Sequence, residues 1–168
     1  MIGSPIFYHD RPGQNNKIIT IYKFKTVVDK HCRVFFFRKT KIFKFCSFLR
    51  NTGLDELPQL LNVIKGDLSL VGPRPLLVKY LKINAFKNHV RKKCRPGITG
   101  LAQIETFSAV EKKRNIKWKK QFKLDKYYFY NLNLKLDIKI LFLTFCKALK
   151  FSKKDYYNEP KLLKKYIK

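Results

Sequence analysis

Pro58 constrains the fold of this chain more than any other single residue. It sits in "LDELPQLLNVIKGDLSLVGPRP", Leu54 to Pro75. Proline lacks the N–H that a helix interior requires, and is tolerated only in a helix's first turn. A helix must therefore begin near Leu54 or Asp55, which places the adjacent acids Asp55 and Glu56 at its N-terminus. Leu54, Leu57, Leu61 and Ile64 recur at helical spacing and predict a buried stripe, which Gly66-Asp67 ends. Pro73 and Pro75 then flank Arg74, limit the backbone on both sides and aim its guanidinium.

The rest of the chain organises around this stretch. Ser4 to Tyr8 and Lys17 to Phe24 read as short strands separated by the turn residues "RPGQNN". "CRVFFFRKTKIFKFCSFLR", Cys32 to Arg50, interleaves aromatics with cations, as in an amphipathic element whose rings enter an apolar medium. Leu76 to Arg91 reads as a helix followed by a loop at "CRPGITG". Leu136 to Lys150 predicts a last helix with Ile138, Leu141, Phe142, Phe145 and Leu149 on one face. The expectation is an α+β fold: a small, compact, mostly helical domain over 1–150, with short N-terminal strands and amphipathic membrane-surface helices. A basic tail follows over 151–168. No internal repeat is present.

Composition limits the function classes. With 168 residues there is room for one domain, and 45% hydrophobic with 15% aromatic residues excludes a disordered chain despite a net charge of +27. Such a charge draws polyanions: nucleic acid, anionic headgroups or phosphorylated small molecules. The abundance of Lys, Ile, Asn, Phe and Tyr is also what an AT-rich genome produces, so the charge alone names no partner. Cys32, Cys46, Cys94 and Cys146 are scattered, as are His9, His31 and His89; no metal-ligand spacing appears, and reduced structural cysteines in a cytosolic compartment are expected. Met1 to Gly13 carries no sustained apolar region of the signal-peptide kind. The apolar run Ile140 to Cys146 is far short of the roughly 20 residues that span a bilayer.

Acids at a helix N-terminus ordinarily cap free N–H groups and complement the helix dipole. The same geometry serves chemistry: a carboxylate there can attack phosphorus, provided that Mg²⁺ or arginine cancels its repulsion with the phosphate oxygens. Arg50, five residues before Asp55, and Arg74 supply such cations, and a guanidinium fork suits phosphate better than an ammonium.

This combination resembles the signature of the bacterial sugar transferases, the monotopic phosphoglycosyl transferases (undecaprenyl-phosphate sugar phosphotransferases). The resemblance extends through "GSPIFYHDRPG", "ITIYKFKT", "RPGITGLAQ", "WKKQFKLDKYY" and "LNLKLDIKILFLT", nearly the whole chain to about Leu149. It implies a two-step covalent transfer of a phosphosugar from a UDP-sugar to polyprenyl phosphate, giving polyprenyl-diphosphate-sugar and UMP. Asp55 matches the nucleophile and Glu56 the second acid of the dyad, expected to help hold Mg²⁺ or handle a proton; Mg²⁺ is the implied cofactor on Asp55 and Glu56. Arg50 and Arg74 match arginines suited to the diphosphate. Gln59 and Asp125 match further residues near the site. The implied location is peripheral, on an anionic membrane surface at the cytoplasmic face of the bacterial inner membrane.

Four departures accompany the resemblance. The family's apolar re-entrant helix before the "G-x-P-x-F" strand is not found ahead of Gly3, so the domain reads as N-terminally truncated; a truncated or decaying gene product, a partner chain that supplies the anchor, and a homo-oligomer all stay open. Gly53 replaces a Ser or Thr, Phe43 stands roughly where a glycine is usual, and Ile104-Glu105-Thr106-Phe107 replaces a turn that carries an arginine. Two other classes stay open: an impaired, membrane-associated remnant, and a basic nucleic-acid-binding module. The latter leaves "LDELPQ" and "GPRP" unexplained.

Overall fold

The computed structural model describes residues 4–26, 41–106 and 114–148. The chain opens with an antiparallel hairpin of β1 (Ile6–Pro12) and β2 (Ile18–Phe24), in register from Ile6 opposite Phe24 to Pro12 opposite Ile18. Its tight loop places Asn15 and Asn16 at positive φ, a conformation that asparagine adopts more readily than most residues. Alternation along β2 turns Ile19 and Ile21 inward, where they pack on Leu68 with Val63 and Ile98 at the margin.

After α1 (Lys41–Thr52), Gly53 reverses the chain at φ +78, in the left-handed region that suits glycine. A 3-10 turn over Leu54–Gln59 contains Pro58 and continues into α2 (Leu60–Ile64), so the segment starts where Pro58 requires. The expected buried stripe is reversed. Leu57, Leu61 and Ile64 are exposed, Ile64 by 82%, and it is Gln59 and Asn62 that are buried. Asn62 explains the reversal: its Nδ2 donates to the Thr20 carbonyl at 2.8 Å and its Oδ1 accepts the Tyr22 N–H at 3.2 Å. The polar side of the segment thus satisfies backbone groups of β2, and the leucines turn outward.

β3 (Ser69–Val71) pairs in parallel with β4 (Gly97–Thr99), which forms within the stretch expected to be a loop. The two chains approach so closely that a Cβ on Gly97 would lie 2.1 Å from the Gly72 nitrogen. Between them the expected helix over Leu76 to Arg91 is broken into a 3-10 turn at Val78–Lys82, α3 (Asn84–Lys87) and a 3-10 turn at Val90–Lys93. Ile83 and His89 are extended at the breaks, in a segment whose Asn and β-branched residues disfavour helix. Its rings instead pack outward from the turn: Phe86 stacks on Tyr80, and both Phe86 and His89 meet Phe122.

α4 (Leu101–Thr106), α5 (Arg114–Tyr130) and α6 (Leu134–Ala148) complete the fold. Asn133 caps α6, its Oδ1 accepting the Leu136 N–H at 2.8 Å. A second core joins Val71, Leu101, Ala102, Ile104, Leu124, Tyr128 and Ile140. The apolar face expected on the last helix is present but points to solvent: Ile138, Leu141, Phe142 and Phe145 are exposed, and Ile140 is the buried residue. Among the described residues no helix is long and apolar enough to cross a membrane. Cys46, Cys94 and Cys146 are free thiols. Residues 27–40, including the first part of the aromatic-basic stretch, and the tail from 149 lie outside the described residues.

Candidate active site

The centre of the site is Glu56, whose side chain is only 16% exposed. Arg74 approaches it with both terminal nitrogens, Nη2 at 2.6 Å from Oε1 and Nη1 at 3.5 Å from Oε2. Lys23, near the end of β2, donates to the same Oε1. Burial alone would raise the Glu56 carboxyl; Arg74 and Lys23 outweigh it and hold the group below the usual carboxylate range. Glu56 is therefore a fixed anion that orients two cations.

Asp55 behaves oppositely. Partial burial, reinforced by the charge of Glu56, raises its carboxyl above the ordinary value, while Lys23 and Arg50 oppose the shift. No side chain among the described residues bonds to it. Arg50, in the last turn of α1, donates to the Thr26 carbonyl at 2.6 Å and acts on Asp55 through its charge. A fourth cation, Arg11, is half-buried; burial and the nearby Arg74 depress it, and Glu56 partly compensates. Its Nε has no hydrogen-bond partner.

The structure thus brings together Asp55, Glu56, Arg50 and Arg74, and adds Lys23 and Arg11. The signal for those two was the strand register. Lys23 follows Ile19 and Ile21 at every second residue, and Arg11 lies opposite Ile19, so both occupy the inward face of the hairpin. Gln59 is 2% exposed, its Nε2 is unpartnered, and it bonds to none of these groups. Asp125 lies deeper, in α5, 3.4 Å from the buried Arg91 and without contact to the dyad. Burial, only partly offset by Arg91, pushes Asp125 up to about 6. The stretch that replaces the arginine-bearing turn is helical over Ile104 to Thr106, and Phe107 lies outside the described residues.

Glu56 as arranged does not fit a Mg²⁺ ligand, because Lys23 and Arg74 already occupy its oxygens. Among the described residues no three His, Cys, Asp or Glu side chains gather at one point.

An unshared carboxylate under the charge of Lys23 and Arg50, next to a carboxylate that holds Lys23 and Arg74, is equipped to meet a diphosphate. The family described as bacterial sugar transferase matches residues 1–151. The chain belongs to that family. EpsL of Bacillus subtilis (strain 168), named an uncharacterized sugar transferase, is 46% identical over 151 residues, which cover 88% of this chain and 72% of EpsL. The UDP-glucose:undecaprenyl-phosphate glucose-1-phosphate transferase of Klebsiella pneumoniae is 38% identical over 155 residues, 87% of this chain and 33% of that protein. The UDP-galactose-lipid carrier transferase of Erwinia amylovora is 32% identical over 167 residues, 88% of this chain and 34% of its own. This bacterial sugar transferase therefore spans about a third of the last two relatives.

Proposed function

We propose that the chain transfers a phosphosugar from a UDP-sugar to polyprenyl phosphate in two steps. In the first, an Asp55 oxygen attacks the sugar-bearing phosphorus; the bond from that phosphorus to the bridging oxygen breaks, and UMP leaves with its electron pair. In the second, a polyprenyl phosphate oxygen attacks the phosphorus of the resulting acyl phosphate. Asp55 is released and the lipid-linked diphosphate sugar is formed. The observation that carries this reading is the division of labour in the acid pair: Glu56 is committed to Lys23 and Arg74, while Asp55 is unshared. Arg74, Lys23 and Arg11 neutralise the diphosphate as charge shifts to the leaving phosphate.

The acceptor is a lipid, so the site must work at a bilayer surface. Exposed Phe45 and Phe48 on α1, Leu57, Leu60, Leu61 and Ile64 on the dyad segment, and Phe142 and Phe145 on α6 supply an apolar face next to the acids. In this reading they enter the headgroup region at the cytoplasmic face, where surrounding lysines meet anionic lipids. The test is a panel of UDP-sugars with vesicles carrying polyprenyl phosphate, monitored for UMP and lipid-linked sugar. At least one donor should yield both. No UMP from any donor, with the protein folded and vesicle-bound, would overturn the reading.

A further inference from the structure

Arg91 is a charged side chain inside the protein, 9% exposed, and the transfer chemistry does not call on it. Burying a guanidinium is costly unless its donors are used. One terminal nitrogen, Nη1, faces Asp125 Oδ2 at 3.4 Å, too loosely for either atom to gain a hydrogen bond. The guanidinium carbon lies 5.8 Å from the centre of the Phe122 ring. The other nitrogen, Nη2, donates to the main-chain carbonyl of Arg74. Arg91 therefore links α5 to the backbone of the residue whose side chain grips Glu56.

Among the described residues no other hydrogen bond holds the Arg74 main chain. The Gly72 N–H donates to the Thr99 carbonyl at 2.9 Å and the Gly97 N–H to the Pro73 carbonyl at 3.0 Å. Pro73 and Pro75 have no N–H, and beyond Arg74 the next main-chain bond outside an element is from Tyr80 to Leu77. A pocket of about 30 Å³, space for about one water, lies beside the loop and is bounded by Pro73, Arg74, Pro75, Arg91 and Cys94. We infer that Arg91, buried against Phe122 and facing Asp125, is a positioning residue for the transfer reaction: it fixes the Arg74 carbonyl and so aims the Arg74 fork at Glu56 and the diphosphate. The inference rests on the proposed transfer for its kinetic consequences, and on the Arg91–Arg74 contact alone for its structural ones.

The test is a double-mutant cycle on UMP release. Arg91→Lys should lower kcat by about tenfold with KM little changed, the scale of one misaligned charge-assisted contact. In an Arg74→Lys background the same change should cost less than about threefold, because it acts through Arg74. Losses that multiply across the two backgrounds would overturn the inference. The apolar pair Arg91→Met with Asp125→Leu removes both buried charges and guards against simple unfolding. It should keep the wild-type melting temperature and lose the rate; wild-type turnover in a folded pair variant would also overturn it. A third readout needs no activity: the Arg74 Nε–H resonance, identified by its loss in Arg74→Lys, should shift or broaden in the apolar pair variant. An unchanged resonance counts against the inference, whereas a wild-type protein inert with every UDP-sugar counts against the transfer reading alone.

Discussion

Asp55 and Glu56 are adjacent carboxylates driven in opposite directions by what surrounds them. A nucleophile must be ionised, so a raised Asp55 places the acid limb of the pH–rate profile above the ordinary carboxylate range, with activity rising as pH rises through it. Glu56→Gln removes the neighbouring negative charge and frees Lys23 and Arg74, so that limb should move to lower pH; a limb that stays in place would detach Asp55 from the profile. Arg74→Lys keeps one charge and loses the paired donors, and turnover should fall about tenfold or more in single-turnover UMP release. Normal turnover would make the fork geometry irrelevant. Asp55, Glu56, Arg50 and Arg74 were legible because two prolines and one helix start fix them within a short segment. Lys23, Arg11 and Arg91 were not, because their partners lie far away in sequence and only the hairpin register and the broken turn after Pro75 bring them in.

Secondary elements were easier to locate than to orient. The period of the leucines correctly marks a helical turn after Pro58, yet a period cannot tell which face meets the core. The decisive residue is Asn62, fully buried and bonded to both strand neighbours, Thr20 and Tyr22. Asn62→Leu would extend the apolar pattern while leaving a part-buried carbonyl and N–H of β2 without their partner. It should destabilise the protein by about 2 to 4 kcal/mol, read as a lower urea midpoint with unchanged slope. A neutral effect would mean that the hairpin does not depend on this amide. α6 teaches the same lesson: its length was readable, but Ile140 alone is sealed while its larger neighbours face outward.

At the scale of the whole molecule, the hairpin and the segments around β3 and β4 hold the acid pair. The face proposed to meet lipid consists of exposed side chains: Phe45 and Phe48 of α1, Leu57, Leu60, Leu61 and Ile64 of the dyad segment, and Phe142 and Phe145 of α6. If that face meets the bilayer, the protein should float with anionic vesicles at low salt and less as salt rises. Phe142→Lys with Phe145→Lys should reduce flotation without changing the melting temperature, since both rings are exposed. Flotation equal to wild type would move the contact elsewhere. The central claim, that Asp55 carries the phosphosugar, is tested most directly by intact-protein mass spectrometry after incubation with UDP-sugars and no lipid acceptor. The account predicts an added mass of one phosphosugar, localised to the peptide containing Asp55, discharged by polyprenyl phosphate and absent in Asp55→Asn. An adduct of equal yield in Asp55→Asn, or UMP release by wild type with no adduct at any time, would contradict it.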